Sequence, residues 1–592
     1  MVGYNGGRTT FSSEELILEN LATGRYSVAG DRGTHEGGGR EMAARIRSRK
    51  VLVVAAACSA IFSLIITAGA RAGSPYDWAA NLPGCHVTSP AVAHYANQVR
   101  LDPQPTNGPV PCGVLTGYPS VEQKIVVTND NTLVYEPALQ GGPVDSGDGH
   151  VPGWGKQFGF ATSNDNGATW QGSNVNVQNQ DTYVEDGQVD NYTYVDPTTS
   201  RIFWYMYNSG NYGGAGVCGN GAGGTVAYSS NNGQTWDWAF DSDHNCAENP
   251  NLVTAKSTIS GEQLSYPNVV YLCGLTTYPG AGGAGSPGNS CSKSLTGGAS
   301  WLGVLENAPA NDTNYLPSTV TQALPLPATE KPQGWYSGDA KDELDPYPQC
   351  DGQSTTGGSD VQPLPNGHLA TVISCNSENF LAESTDEGAT WNITGPQVPF
   401  AGELRIDSAG NMYLAEVTGT PSEIMLSHST DGGKTWSKSL NMVAPGVTSV
   451  GTWTFALGTY SAGQVGDVAV SYYGIDPNST DGKNGYSDGF ITQTRDALDA
   501  NPVFWSGQVN ENGHPLLYNT TTDGNIGVTV LDFNSAYLSP NGDSAWGSWV
   551  QDCGVNILTS PACLARYPHI NPGNPDDGFA GRLVWKTSDL KT

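Results

Sequence analysis

One octet, written five times along the chain, limits what it can fold into more than any other feature. Ser163-Asn-Asp165-Asn-Gly167-Ala-Thr169-Trp170, Ser384-Thr-Asp386-Glu-Gly388-Ala-Thr390-Trp391 and Ser429-Thr-Asp431-Gly-Gly433-Lys-Thr435-Trp436 all fit S-x-D-x-G-x-T-W. The stretches 229–236 and 294–301 follow the same pattern with Asn231 and Thr296 in place of the Asp. A carboxylate or amide there can cap the N–H groups of a tight turn, Gly permits the left-handed conformation, and Trp packs under a neighbouring strand. Each octet is therefore a hairpin turn with its own staple, and its recurrence predicts an array of like units.

The segments before the octets supply the strands. Apolar runs pair across Gly/Asn/Asp/Pro turns at 124–128 with 132–135 and at 403–406 with 412–415. Comparable pairs occur at 192–195 with 202–207, 361–364 with 369–373, 454–457 with 468–473 and 528–538 with 545–550. A less marked one surrounds 269–272, which makes seven units. Abundant Gly (76), Pro (37), Tyr (27) and Trp (15), with only 14% charged residues, agree with many short strands joined by tight turns.

The octets resemble the Asp boxes (BNR repeats) of the sialidase superfamily of β-propellers, in its bacterial exo-α-sialidase-like branch, over roughly residues 120–590. The resemblance implies an all-β β-propeller of seven blades, with six the alternative. It puts the boxes between the third and fourth strands of a blade, on the face opposite the active site, so Asp165, Asp386 and Asp431 are expected to be structural. A decayed box at 492–505 would end the sixth blade. The chain would finish on a third strand at 583–589, and a strand from within 85–115 would close the ring.

By the same implication the functional mouth receives the starts of first strands and the ends of second strands: Glu122, Glu136, Asp186, Asp190, Asp360, Glu403, Arg405, Asp532 and Asp552. Glu403, Arg405, Asp190, Asp360 and Asp532 are the catalytic candidates. Arg201 and Arg495 fall on the opposite face. Catalytic sialidases use three arginines on the sugar carboxylate, a Tyr with a Glu partner, and an Asp acid/base. Beyond the leader this chain has Arg100, Arg201, Arg405, Arg495, Arg566 and Arg582, and no R-I-P motif. Glycoside hydrolysis more generally needs two carboxyl groups, about 5–5.5 Å apart for retention or about 6.5–9.5 Å for inversion. Glu403, Arg405 and Asp407 share one strand face by the period-two rule, which equally suits an ion-pair ladder. Tyr472 and Tyr473 read as core or rim aromatics. The expectation is a sialidase-like propeller acting on or binding a glycan or glycoprotein, in its specific form an exo-α-sialidase; the alternative is a non-catalytic surface propeller that binds a glycan or protein partner.

The remaining signals set the context. Arg45, Arg47, Arg49 and Lys50 precede an uncharged run over 51–68 and then Ala70-Arg71-Ala72, the order of a signal peptide, although the run is long enough for a signal anchor. Residues 1–44 read as a cytoplasmic tail or a mis-assigned start, 45–72 as the leader, 73–119 as an extension carrying the ring-closing strand, and 120–592 as the propeller. Eleven cysteines, ten of them beyond Cys58 in the apolar run, suit disulfides in an exported protein, with Cys273–Cys291 and Cys553–Cys563 the neighbour pairings. A net charge of −30 disfavours nucleic acid and anionic membranes as partners, leaving the leader as the one membrane contact, and a monomer is expected. No cofactor is required. The turn-rich 476–485 loop has acids for Ca²⁺ but breaks EF-hand spacing. The G-x-S-x-G at 485–489 lacks a following helix, and the G-x-G-x-x-G matches at 219–224 and 280–285 open no βαβ unit. Two Gly/Pro-rich stretches, 210–224 and 278–289, read as loops, and 307–356 as a flap or insert.

Overall fold

Two compact units divide the chain, Met1–Arg71 and Ala72–Thr592. The computed structural model describes the second at residues 76–137, 159–174, 192–206, 224–241, 247–277, 287–301, 354–356, 361–419, 422–450, 460–517, 534–551 and 577–589, with short breaks at 88, 119, 121–122, 376–377 and 389–390. The tail, the leader, Cys58, Cys553 and Cys563 lie outside the described residues, as do the 210–223, 278–286 and 307–353 stretches.

Seven antiparallel sheets form seven blades of a β-propeller, as expected. Blade 1 runs Lys124–Val127, Leu133–Glu136, Gly159–Ser163, Gln171–Asn174, from the innermost strand outward. Blade 2 follows with Tyr192–Val195, Ile202–Met206, Gly224–Ser229 and Asp237–Asp241, and blade 3 with Ala247–Ala255, Val269–Thr277 and Pro287–Ser294. In blade 4 two short pieces, Ser354–Thr356 and Gln362–Pro363, line Leu369–Cys375, followed by Glu378–Ser384 and Asn392–Gln397. Blade 5 is Glu403–Ile406, Met412–Thr418, Glu423–Ser429 and Leu440–Asn441. Blade 6 lines Val468–Ile475 with Thr448–Ser449 and Tyr460–Ala462, adds Asp488–Thr494 and Phe504–Gln508, and takes Val92–His94 as an extra outer strand. Blade 7 joins the first described strands to the last: Ser535–Leu538, Ser544–Gln551 and Asp577–Val584 are continued by Val110–Leu115 and His86–Val87. The described helices are single 3₁₀ turns, Asp77–Asn81, Gly482–Asn484 and Thr587–Asp589.

The innermost strand of each blade packs against that of the next, and blade 7 against blade 1. Because side chains alternate across a strand, each blade must be apolar on both faces, which is why its strands read as unbroken runs such as Ile125-Val-Val127. Val126 and Val134 face blade 2 with Trp204, whereas Ile125, Val127, Leu133 and Tyr135 face blade 7 with Trp546. Seven such clusters fill the seven joints.

The octets hold the turns between third and fourth strands. Ser163 Oγ accepts the Gly167 N–H at 2.8 Å, while Asp165 accepts the Thr169 N–H at 2.8 Å and the Thr169 hydroxyl at 2.6 Å. Ser429, Asp431, Gly433 and Thr435 repeat this pattern, and the Thr435 hydroxyl and N–H, with the Ser429 hydroxyl, hold the Asp431 carboxyl down at about 2. Asn231 and Thr296 make the same turn by accepting the Thr235 and Ser300 N–H groups at 2.9 and 2.8 Å. The tryptophans do more than pack, since Trp236, Trp391 and Trp436 donate their indole N–H to the Gly carbonyl three residues back. Even the decayed copy keeps a staple, with Asp496 accepting from Thr494 Oγ1 and the Val503 N–H. Gly433 sits at φ +82°, and a Cβ there would lie 2.5 Å from Leu381 Cδ2 of blade 4. Gly433→Ala should therefore lower unfolding free energy by about 1–3 kcal/mol, read from the denaturant midpoint.

These turns and the first hairpins share one face and are tied to each other across blades. Asn129 bonds Ser200 Oγ and Pro197 O, Asn232 bonds Asp130 at 2.6 Å, and Ser408 N–H bonds Gly463 O. Arg201 lies here as expected, donating to Ser230 Oγ and Gly297 O between the rings of Tyr228 and Tyr266.

Candidate functional site

The antiparallel ladders carry the starts of the inner strands and the ends of the second strands to the opposite face. The described strands that flank 138–158, 175–191, 207–223, 242–246, 278–286, 518–533 and 552–576 all end at that face. Among the described residues, one side of the ring carries short, interlocked turns, and the strands flanking these seven connections end at the other. Of the predicted mouth residues, Glu122, Asp186, Asp190, Asp360, Asp532 and Asp552 lie outside the described residues. Glu136, Glu403 and Arg405 are described.

Glu403 and Arg405 stand together. They alternate with buried Leu404 on the innermost strand of blade 5, where Arg405 Nη2 donates to Glu403 Oε2 at 3.1 Å and Nη1 to Leu404 O at 2.7 Å. The Glu403 side chain is 46% exposed and that of Arg405 18%, so the carboxylate is presented to solvent from a guanidinium that is partly fixed. Asp407 does not extend the pair. It is buried at the far end of the strand, accepting the N–H groups of Ala409 and Asn411 and the hydroxyl of Tyr413. The ladder is thus one ion pair and one turn staple. A second carboxyl on this blade, Glu416, was not among the predicted residues; it is half-buried, and burial pushes its carboxyl up. The signal for it was length, because the second strand runs to Thr418 whereas the apolar run stops at Ala415.

Glu136 has a different role. It is 1% exposed and accepts the indole N–H of Trp204 and the hydroxyl of Thr193, both from blade 2, while its Cα partner across the ladder is the buried Lys124. Its carboxylate joins two blades. Beside it, where blades 6, 7 and 1 meet, Ser548 donates to Gln123 O, Ser535 Oγ pairs with Ser548 Oγ, and Asn534 Nδ2 reaches Ser471 O. The side-chain amide of Gln123 and the Oδ1 atoms of Asn534 and Asn251 are buried with no hydrogen-bond partner among the described residues.

On blade 6 Tyr472 and Tyr473 are fully buried, as core aromatics should be. Tyr472 accepts the Ala444 N–H, and burial pushes its hydroxyl up to about 12. The hairpin from Asp476 leads to Asp488, whose carboxyl is buried against Asp481. No group of three or more His, Cys, Asp or Glu side chains that could hold a metal ion occurs among the described residues.

The other described arginines are elsewhere. Arg495 stacks on Trp585, Arg582 is buried over Trp546 with its Nη2 on Pro83 O, and Arg100 bridges to His94 on the outer edge of blade 6. Among the described arginines of the propeller, Arg405 alone stands at the open face; Arg566 is outside the described residues.

No family model matches the chain. No curated protein matches it either. Among solved structures it is similar to a protein of unknown function from Dyadobacter fermentans, at 13% identity over 85% of this chain and 100% of that one, with a TM-score of 0.35. It is also similar to an ulvan lyase of a polysaccharide lyase family, at 11% identity over 66% and 79% with a TM-score of 0.34. A third is the intramolecular trans-sialidase of Ruminococcus gnavus, at 12% identity over 73% and 89% with a TM-score of 0.32. These neighbours differ in chemistry, and at such values none of them decides between functions for this chain.

Proposed function

We propose that this is an exported propeller that acts on or binds glycans at the face from which its long connections depart. The observation that carries the reading is the half-exposed Glu403–Arg405 pair on that face, held by a rigid strand at the edge of a ring whose other side carries short, interlocked turns. Binding and catalytic groups concentrate on loops positioned by a rigid scaffold. A carboxylate fixed beside a guanidinium can accept sugar hydroxyls, and a two-carboxylate hydrolase would need a second carboxyl from another blade, since Glu416 alternates onto the other face of blade 5. The disulfides at Cys85–Cys112 and at Cys273, whose Cα partner is Cys291, support export into an oxidising compartment.

Sialoside hydrolysis is the narrower form of this reading, with Arg405 on the sugar carboxylate. A three-arginine clamp would need more than Arg405 and Arg566 provide, so neutral sugars or a weakly clamped acidic sugar fit better. The test is release of fluorophore from a panel of aryl glycosides, the sialoside included, with Glu403→Gln and Arg405→Ala alongside wild type. A catalytic Glu403 predicts a loss of kcat of about 100-fold or more in Glu403→Gln, and Arg405→Ala should act chiefly on KM. Binding on a glycan array without turnover, weakened by both substitutions, would favour the non-catalytic propeller. Neither turnover nor glycan binding would sink the proposal.

A further inference from the structure

The hairpin that joins the second and third strands of blade 6 ends in a pair of carboxyl groups that the proposed glycan site does not use. Asp488 is 0% exposed and Asp481 2%. Asp488 Oδ1 accepts the side-chain N–H of Asn510 at 2.7 Å, and Asn510 also donates to His514 O and accepts the Gly489 N–H. Asp481 Oδ2 accepts the Gly513 N–H at 2.6 Å. Both acids therefore bind the segment that leaves blade 6 for blade 7. Backbone bonds between Ser487 and Leu516 and Leu517 close the same seam. Among the described residues Asp488 Oδ2 receives no N–H or O–H donor, and the Asp488 carboxyl lies within hydrogen-bonding reach of that of Asp481. Two carboxylates cannot share a dry contact while both are ionised, whereas one proton between them turns repulsion into a hydrogen bond.

We propose that Asp488 and Asp481 hold one proton between them, and that this shared proton is a pH-sensitive latch fastening the open-face hairpin of blade 6 to the connection into blade 7. Asp488 donates and Asp481 accepts. The surroundings favour that state: burial first, then the charges of Asp481 and Asp476, push the Asp488 carboxyl up to about 8, while the Asn510 hydrogen bond opposes them. The charged residues of the two latched segments are Asp476, Asp481 and Lys483 on the hairpin and Glu511 and His514 on the connection, with His514 acting on Asp481. Among the described residues blade 7 packs here through uncharged Gln551 and Trp549.

The sign follows from linkage. A carboxyl whose folded value lies above its unfolded value favours the folded state fully below the unfolded value, near 4, and that contribution is lost as pH rises toward the folded value, near 8. The latch is closed in acid and at neutrality and releases in mild alkali.

Thermal unfolding of the full chain from about pH 5 to about pH 9 tests this. Wild type should lose several degrees of Tm across that window. Asp488→Asn keeps a permanent N–H toward Asp481 and should be nearly flat, its Tm exceeding wild type at the alkaline end and converging with it in acid. Asp481→Asn should reduce the slope but not abolish it, since burial still raises Asp488. Infrared difference spectra of wild type should keep a protonated-carboxyl band at neutral pH that Asp488→Asn lacks, a readout that holds even if a variant folds poorly. Unchanged pH slopes in both variants, or no such band in wild type, would overturn the latch. So would a rise in wild-type Tm on adding Ca²⁺ that Asp488→Asn does not show, because the pair would then be holding a cation instead of a proton.

Discussion

Lys293→Met should destabilise the propeller by about 3–5 kcal/mol near neutral pH, with much of that loss recovered in acid. Lys293, on the third strand of blade 3, lies between Glu262 of its own blade at 2.9 Å and Glu387 of the blade 4 octet at 2.8 Å. All three side chains are 2% exposed or less. Burial drives both carboxyls upward, but the two end on opposite sides of their ordinary value. In Glu262 burial wins over Ser257 and Lys293. In Glu387 the lysine, Ser257 and the Thr258 N–H together outweigh burial and hold it down. Glu387 alone gives stability that is present above its unfolded value and lost as pH falls; Glu262 alone gives stability lost as pH rises. Their slopes offset each other in wild type. Without the ammonium, two buried carboxylates face each other, both rise, and stability should increase as pH falls through the carboxylate range. Denaturant midpoints near neutrality and in mild acid check this; equal losses at both would show that packing, not charge, explains the deficit. Adding Glu387→Gln to Lys293→Met should restore part of the loss.

Opening the Cys85–Cys112 disulfide, by Cys85→Ser with Cys112→Ala, should cost about 3.5 kcal/mol if chain entropy of the 27-residue span dominates. The bond ties His86–Val87 to Val110–Leu115, the strand that completes blade 7. Gly84, just before it, is pressed on the blade 1 octet, where a Cβ would meet Asn166 O at 2.4 Å. The N-terminal segment thus clasps the seam between last and first blades. The loss should appear as a lower denaturant midpoint at an equal or slightly higher m-value, because the unfolded chain is no longer crosslinked. A lower m-value would mean that the variant leaves the seam open before the ring unfolds.

The parts of this fold that were legible in the sequence are those set by local chemistry. An octet whose Ser, Asp and Gly bond within four residues declares its turn unaided, and the paired apolar runs around 125 and 405 declare theirs. The ring-closing strand predicted within 85–115 is Val110–Leu115, paired with Asp577–Val584. The residues that sequence reading misplaced depend on other blades. Glu136 looked like a mouth carboxylate by position, yet Trp204, 68 residues on, covers it. Asp407 looked like the third rung of a ladder until Tyr413 and the Gly466 N–H claimed its carboxylate. Asp488 gave no signal at all, since nothing in its neighbours' identities announces that Asn510 and Asp481 will close over it.

Blade 7 also sets a timetable. Its Thr116 side chain bonds Gly578 O across 462 residues, and Val110–Leu115 has no ladder partner on that side until Asp577–Val584 exists. At synthesis rates of about 5–20 residues per second, the earliest strand waits roughly half a minute or more for the latest. Until then an apolar edge stays open at each end of a six-blade arc, a template for a second nascent chain. The disulfide-tied pairing of His86–Val87 covers only the other side of Val110–Leu115, so the side that meets Asp577–Val584 waits uncovered.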